Sequence, residues 1–130
     1  MDAPIRIFIA DDNELVVDAL KRVLRDCADV VPSGHSPDAA DLVRKVREAE
    51  ADVVLLDVDM PPGDTFGALF ELTAELPNVR TVILSGHVRQ DYFDRAVEAG
   101  AMGYLSKHAD PRVIVESIRR VAAGEFATDV

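Results

Sequence analysis

Residues 53–67, VVLLDVDMPPGDTFG, decide how the rest of the chain is interpreted. A run of apolar residues leads into Asp57, and Pro61, Pro62 and Gly63 then prevent the segment from continuing. An uninterrupted apolar run with β-branched valines is typical of a strand that is buried on both faces and ends in a loop. In open α/β sheets, ligands bind at the carboxyl ends of the strands. Asp57 is therefore the first candidate functional residue, with the alternative that it only begins a turn.

The composition fits one globular domain. The chain has 130 residues, of which 48% are hydrophobic and 29% are charged, and this balance is typical of a folded rather than a disordered protein. No apolar run approaches the roughly 18 residues that a membrane span needs. The acidic N-terminus does not resemble a signal peptide, so we expect a cytoplasmic protein. The net charge of −10 disfavours direct binding to a nucleic-acid backbone and favours cations and basic partner surfaces.

Strand-like and helix-like segments alternate along the chain. The strand-like runs cover residues 5–10, 30–34, 53–57, 81–85 and 103–107. Helical spacing of apolar residues follows each run, and Ser36 and Pro37 supply an N-cap and a first-turn proline for the second helix. The last helix should end at Gly124. Five alternations with short connections predict a parallel sheet with helices on both faces.

Polar side chains stand at four of the five predicted strand ends: Asp11 with Asp12, Asp57, Ser85 and Lys107. In a parallel sheet these ends lie at one edge, where three carboxylates repel one another unless a cation neutralises them. Neither Cys nor His is among them, so the site offers oxygen ligands alone, which suit Mg²⁺, with Mn²⁺ as an alternative. Lys107 adds an ammonium and Ser85 a hydroxyl. Such a set has the parts that phosphoryl transfer requires.

Four motifs together resemble the receiver domain of bacterial two-component response regulators over essentially the whole chain. They are IADDN at 9–13, LLDVDMP at 55–61, ILSGH at 83–87 and GYLSK at 103–107. The resemblance implies a flavodoxin-like α/β fold: a doubly wound, five-stranded parallel sheet with strand order 2-1-3-4-5 and helices on both faces. The receiver domain would cover residues 1–124, and residues 125–130 would begin a linker or a C-terminal tail.

The resemblance also implies roles for the acidic residues. Asp57 would be the phosphoacceptor. Mg²⁺ would be held by Asp12 and Asp57 together with the backbone carbonyl of Asp59, and Asp11 would contribute through water. Each of these residues occupies the position that matches the corresponding family motif.

A second group of residues would contact the phosphoryl group or move in response to it. Lys107 would contact a phosphoryl oxygen, Ser85 would move to hydrogen-bond the new phosphate, and Tyr104 would swing inward as Ser85 moves. The alternative for Tyr104 is a half-buried strand aromatic with no switching role. Asp59 and His87 occupy positions that tune dephosphorylation in the family, whereas His87 is also interpretable as a solvated loop histidine.

One position departs from the family pattern. The family usually has a loop glycine eight residues after the acceptor, but Thr65 stands there and Gly67 follows two residues later. This spacing predicts that the loop 58–67 is two residues longer than usual. A longer loop would affect its shape, the fit of the kinase and the lifetime of the phosphate.

The function implied by the resemblance is phosphorelay signal transduction. A sensor histidine kinase would donate the phosphoryl group, and the domain would catalyse only its own phosphorylation and dephosphorylation. The chain resembles receivers of the NarL/FixJ group, which precede a LuxR-type helix-turn-helix domain, so transcription regulation and DNA binding would belong to an output domain absent from this chain. A phosphorylation-dependent homodimer is a further expectation, and no membrane partner is expected.

Two other functions remain open at this stage. A haloacid-dehalogenase-like phosphatase would use Asp57 as nucleophile and Asp59 as general acid. Against it, Pro61 replaces an expected Thr, no acidic pair follows Lys107, and Asp11 and Asp12 have no purpose. The other alternative is a docking module that has lost the chemistry, but such a scaffold gains nothing from crowded carboxylates.

Overall fold

The computed structural model describes residues 3–60, 64–87 and 89–129. Within them, strands and helices alternate in the order β1 (Ile5–Ala10), α1 (Glu14–Arg25), β2 (Val30–Ser36), α2 (Leu42–Glu48), β3 (Val53–Asp57), α3 (Thr65–Glu75), β4 (Arg80–Ser85), α4 (Gln90–Glu98), β5 (Gly103–Ser106), α5 (Pro111–Ala122) and β6 (Ala127–Thr128). All strands pair in parallel, in the order β2-β1-β3-β4-β5-β6. The predicted flavodoxin-like α/β arrangement is confirmed. A search of these residues for a helix that could span a bilayer finds none.

The prediction of five strands is wrong, because a sixth strand follows the last helix. β6 pairs with β5, so that Gly103 faces Ala127 and Tyr104 faces Thr128. The Ala127 N–H donates to the Met102 carbonyl at 3.0 Å. Two residues give no readable alternation, and their sequence alone does not predict a strand. The domain boundary at Gly124 stays a prediction, although the sheet continues beyond it.

β3 is the central strand, and all five of its residues are buried. Its side chains alternate between two hydrophobic cores, as the strand period of two requires. Val53 and Leu55 join the core built with α1 and α5. Val54 and Leu56 join the core built with α2, α3 and α4. Helices therefore cover both faces of the sheet, and β3 ends between them at Asp57.

The edge strand β2 is irregular. Its pairing with β1 shifts register between Ile7 and Phe8, where Pro32 and Gly34 are the successive partners. A Cβ on Gly34 would lie 3.0 Å from the Phe8 ring, which is tighter than an ordinary contact. The bulge therefore depends on a residue without a side chain at position 34.

The second helix begins at Leu42 and not at Pro37, so the predicted cap at Ser36 is wrong. Ser36 is the last residue of β2. Its hydroxyl donates to the Asp38 carbonyl at 2.8 Å and accepts from the Lys45 ammonium at 3.0 Å. The side chain thus stabilises a turn before the helix instead of satisfying helical amides.

The prediction of a loop extending to Gly67 is also wrong, because α3 begins at Thr65. Asp64 caps this helix, and its carboxylate accepts from the Gly67 N–H at 2.9 Å. A Cβ on Gly67 would overlap this carboxylate, so glycine here makes room for the cap. The predicted loop also includes residues 61–63, which lie outside the described residues.

Two glycines that follow helices differ in how closely other side chains approach them. Gly100, after α4, has φ +102°, and a Cβ there would lie 2.5 Å from the Thr73 hydroxyl. Gly124, after α5, has φ +90°, but a Cβ there would meet nothing within 4 Å. Gly124→Ala should therefore lower the free energy of unfolding by about 1 kcal/mol through the backbone alone. Gly100→Ala should lower the free energy of unfolding by about 1–3 kcal/mol more than Gly124→Ala does, because the added methyl group overlaps Thr73.

Urea unfolding of the two alanine variants measures this difference, with Gly124→Ala as the matched control. Equal losses would show that Thr73 yields to the added methyl group at no cost.

Candidate functional site

Side chains from four neighbouring strand ends meet at one edge of the sheet. Asp11 follows β1, Asp57 ends β3, Ser85 ends β4 and Lys107 follows β5. Asp11, Asp57 and Ser85 are buried, whereas the Lys107 side chain keeps 16% of its surface exposed. The ladder extends one residue past β5, since the Lys107 N–H donates to the Ser85 carbonyl at 2.9 Å. The sheet itself therefore fixes where each of these side chains starts.

The Lys107 ammonium lies between two buried carboxylates. It donates to Asp57 Oδ2 at 3.0 Å and to Asp11 Oδ1 at 3.3 Å. Burial alone would disfavour the ammonium, but the hydrogen bond and charge of Asp57, with those of Asp11, outweigh it and raise the pKa of Lys107. Lys107 is therefore a fixed positive charge at neutral pH.

The two carboxylates are each oriented by a backbone amide. The Asp59 N–H donates to Asp57 Oδ1 at 3.0 Å, and the Asn13 N–H donates to Asp11 Oδ1 at 2.9 Å. Asp11 Oδ2 is buried and lies 3.2 Å from the Lys107 nitrogen, which is an ion-pair contact without hydrogen-bond geometry. Within the described part of the chain this oxygen accepts no hydrogen bond. Burial raises the pKa of Asp11 and the charge of Asp57 adds to the rise, against the Asn13 amide and Lys107. One lysine therefore leaves the acidic cluster incompletely satisfied.

This cluster has the donor set of a hard divalent cation. Oxygens of Asp11, Asp12 and Asp57 all lie within 4.8 Å of one another. Asp12 is exposed, so a bound ion would retain contact with solvent. Carboxylate oxygens are the ligands that Mg²⁺ prefers, and the unsatisfied Asp11 Oδ2 is a buried acceptor that such a charge would stabilise. The residues present therefore fit Mg²⁺ or Mn²⁺.

An open cleft of ≈ 580 Å³ leads to these groups. It is lined by Asp12, Asn13, Glu14, Leu15, Asp57, Asp59 and Lys107. The Asp59 side chain is exposed in this cleft, and its backbone N–H orients Asp57. The predicted use of the Asp59 carbonyl as a ligand and the predicted tuning role of its side chain stay predictions.

Ser85 and Tyr104 share one acceptor, the backbone carbonyl of His87. The Ser85 hydroxyl donates to it at 2.5 Å, and the Tyr104 hydroxyl donates at 3.4 Å. Tyr104 is 1% exposed, and its ring packs edge-on against Phe93 with centroids 5.5 Å apart. Tyr104 is therefore a fully buried rather than a half-buried strand aromatic, and its switching role stays a prediction. The His87 side chain is exposed, and its predicted tuning role stays a prediction.

Two contributions were missed at the level of sequence. Asn13 caps α1, with its side chain accepting from Leu15 N–H at 3.0 Å, while its own N–H orients Asp11. An Asn directly before a helical pattern is a recognised N-cap signal, so this contribution was open to prediction. The His87 carbonyl carried no such signal, because it is a backbone group in a loop.

Comparison with known protein families assigns the chain to one of them. The sequence profile of the response regulator receiver domain matches residues 7–119. The chain therefore belongs to the response regulator receiver domain family.

Individual relatives point to the same family. The chain is 34% identical over 121 residues to the uncharacterized transcriptional regulatory protein YxjL of Bacillus subtilis (strain 168), covering 93% of this chain and 56% of the relative. It is 32% identical over 128 residues to the response regulator UvrY of Escherichia coli (strain K12), covering 97% and 59%. The chain thus spans less than two thirds of the length of these relatives.

Solved structures of response regulators share the fold of this chain at lower sequence identity. A two-component response regulator of the LuxR family from Aurantimonas sp. SI85-9A1 has a TM-score of 0.89 and 27% identity, over 96% of this chain and 89% of that chain. The signal receiver domain assigned to NarL of Mycobacterium tuberculosis has a TM-score of 0.89 and 25% identity, over 95% and 100%. The predicted resemblance to receivers of the NarL and LuxR type is confirmed. Phosphorelay signalling is accordingly favoured over the haloacid-dehalogenase-like phosphatase, and the family is one of signalling domains.

The acidic cluster predicts a measurable affinity for Mg²⁺. Asp12→Asn should weaken Mg²⁺ binding at least about tenfold, because it removes one of three carboxylate ligands and its charge. Asp26→Asn makes the same change of charge at the exposed C-cap of α1, at the other end of that helix, and should bind like the wild type. Isothermal titration calorimetry measures both. Equal affinities in the two variants would mean that net charge alone, not the cluster, attracts the ion.

The lysine predicts a stability effect that depends on the same ion. Without divalent cations, Lys107→Met should lower the free energy of unfolding by about 1–3 kcal/mol, because it leaves two buried carboxylates without their counter-charge. Lys45→Met is the control, since the Lys45 side chain is 28% exposed and its partner Asp38 is 41% exposed. Urea unfolding with and without Mg²⁺ reports both effects, and Mg²⁺ should restore part of the loss at position 107 only.

Proposed function

We propose that Asp57 accepts a phosphoryl group from a phosphohistidine of a sensor histidine kinase. The observation that carries this proposal is a buried carboxylate at the base of an open cleft, with a lysine ammonium 3.0 Å from one of its oxygens. This carboxylate lines the open cleft and is already paired with the positive charge that an incoming phosphoryl group needs. Membership of the receiver family supports the same reaction.

The geometry leaves Asp57 able to act as a nucleophile. From the described residues each of its oxygens receives one hydrogen bond, Oδ1 from the Asp59 N–H and Oδ2 from Lys107, which leaves a lone pair on each oxygen. One oxygen forms a bond to phosphorus while the phosphorus–nitrogen bond of the phosphohistidine breaks. The electron pair of that bond stays on the imidazole nitrogen of the kinase. Lys107 offsets the negative charge on the transferred oxygens throughout.

Asp11, Asp12 and Asp57, with the backbone carbonyl of Asp59, would hold the divalent cation. When bound, Mg²⁺ or Mn²⁺ supplies positive charge that neutralises the phosphoryl oxygens. The chain's own contribution is to gather these oxygens and to hold Asp11 and Asp57 in place through the amides of Asn13 and Asp59. Hydrolysis of the resulting acyl phosphate returns Asp57 to its carboxylate, and Asp59 and His87 would tune how readily water reaches it.

Ser85 and Tyr104 would convert the new charge into a change of conformation. The Ser85 hydroxyl can hydrogen-bond the phosphate only by giving up its bond to the His87 carbonyl, which Tyr104 shares. A phosphate that binds one arrangement of these groups better than the other shifts the population between them. The surface formed by α4, β5 and α5 lies next to Tyr104 and would carry the signal.

An output domain would lie in a part of the protein that this chain does not cover. The relatives that match include a transcriptional regulatory protein, and they extend well past the region that this chain covers. We therefore propose a receiver domain at residues 1–124 that controls a LuxR-type transcription-regulator domain, with DNA contacted only through that domain. Phosphorylation-dependent homodimerisation and a cytoplasmic location remain predictions from the sequence.

The phosphoacceptor proposal is tested with a small phosphodonor. Wild-type protein incubated with phosphoramidate and Mg²⁺ should gain one phosphoryl group by intact mass spectrometry, and Asp57→Asn should gain none, because the amide is not a nucleophile toward phosphorus. Asp26→Asn is the matched control and should be labelled like the wild type. Unchanged labelling of Asp57→Asn would assign the phosphate to another residue and end the proposal.

The same samples distinguish the phosphatase alternative. A steady-state assay with a small phosphate ester should show no sustained turnover by the wild type. Turnover that is lost in Asp59→Asn would favour the haloacid-dehalogenase-like function instead.

A further inference from the structure

The C-terminal segment, Glu125–Asp129, covers the edge of β5. The Ala127 N–H donates to the Met102 carbonyl at 3.0 Å, and Ala127 is 2% exposed. The Asp129 carboxylate accepts from the Ser106 N–H at 3.1 and 3.4 Å. The segment thus pairs with the backbone of the strand that leads to Lys107 and carries Tyr104.

Phe126 connects this segment to α4. Its ring packs edge-on against Phe93 with centroids 6.0 Å apart. The Phe93 ring in turn packs edge-on against Tyr104 at 5.5 Å. Phe93 therefore lies between the C-terminal segment and the buried tyrosine and contacts both.

The helix that carries Phe93 is weakly anchored. Among residues Gln90–Glu98 only Ala96 is buried, and Arg89 at the N-cap provides no side-chain hydrogen bond to the first turn. A helix with few buried contacts moves at a low cost in free energy. The aromatic contacts of Phe93 therefore contribute to its position, together with the buried Ala96 and the packing of Tyr92 against Phe66 on α3.

The residues before α4 are held by the groups that would respond to phosphate. The Ser85 hydroxyl donates to the His87 carbonyl, and Tyr104 donates to the same oxygen. If the Ser85 hydroxyl turns to a phosphoryl group on Asp57, the His87 carbonyl loses its shorter hydrogen bond. With that bond lost, His87, three residues before α4, is less constrained, and so is the Tyr104 hydroxyl that bonds to it.

From these contacts we infer that a phosphoryl group on Asp57 loosens the C-terminal segment from β5, through Ser85, Tyr104 and Phe93, with Phe126 as the contact that transmits the change. The inference rests on the proposed function, because it requires Asp57 to carry the phosphoryl group. It adds to that function a defined element, the C-terminal segment, whose docking depends on the state of the site. Because coupling between two binding equilibria is reciprocal, removal of the Phe126 contact must in turn favour the phosphoryl-bound state.

The first test needs no substitution. Hydrogen exchange of the Ala127 amide, followed by NMR, is compared with and without Mg²⁺ and beryllium fluoride, a stable mimic of the phosphoryl group. Exchange should be at least about fivefold faster with the mimic, the lower limit of a typical coupling. Intact-mass labelling of Asp57 by phosphoramidate is measured in parallel. Labelling with unchanged Ala127 exchange overturns this inference and leaves the proposed function standing, whereas absence of both labelling and mimic binding overturns the two together.

The reciprocal test uses Phe126→Ala, with Phe70→Ala as the matched control. Both remove a phenylalanine ring from an exposed position, 42% exposed at Phe126 and 64% at Phe70, but Phe70 lies on α3, away from the segment. Phe126→Ala should exchange Ala127 rapidly even without the mimic and should bind the mimic about fivefold more tightly than the wild type. Phe70→Ala should match the wild type in both measurements. Equal mimic affinity in Phe126→Ala and Phe70→Ala would overturn the coupling.

Discussion

Among the residues that the structure describes, the Lys107 ammonium is the positive charge that pairs with both Asp11 and Asp57 at the base of the cleft, and both the stability and the chemistry of the site depend on it. Buried carboxylates are costly unless a cation and hydrogen bonds compensate them. Lys107 compensates Asp57 well, at 3.0 Å, but leaves Asp11 Oδ2 without a hydrogen bond. The unsatisfied Asp11 carboxylate oxygen lowers the stability of the site, and for the same reason the cluster favours binding of a further positive charge. A site of this kind is selected for binding rather than for maximal stability.

The sheet explains why these charges can be placed so closely. Parallel pairing brings the ends of β1, β3, β4 and β5 to the same edge, and the ladder continues past β5 to the Lys107 amide. β3 has five buried residues, and Asp57 is the last of them, where the end of the strand meets the cleft. Rigid elements therefore carry the acceptor and the lysine, while a loop carries the His87 carbonyl to which Ser85 and Tyr104 bind.

The elements that the sequence predicts well are those in which one strong signal dominates. Apolar runs predicted the strands, because a buried strand leaves few other interpretations of such a run. Two of the runs lead into acids, which predicted that Asp11 and Asp57 lie at one edge of the sheet. The start of α2 was not predicted, since Ser36 forms a turn as readily as a cap and only tertiary contact with Lys45 decides between them. The role of Gly67 was missed for a similar reason: its lack of a side chain serves the Asp64 carboxylate, not a loop. β6 and the His87 carbonyl involve backbone groups, whose partners side-chain patterns do not specify.

The two outer strands of the sheet have a consequence for how copies of the protein behave at high concentration. β2 offers an incoming strand a proline without an N–H and a bulged register. β6 offers only two residues, too short a template for stable intermolecular pairing. Both edge strands are thereby protected against pairing with strands of other molecules, as occurs in fibrils. These two irregular edge strands therefore give the protein resistance to aggregation at high concentration.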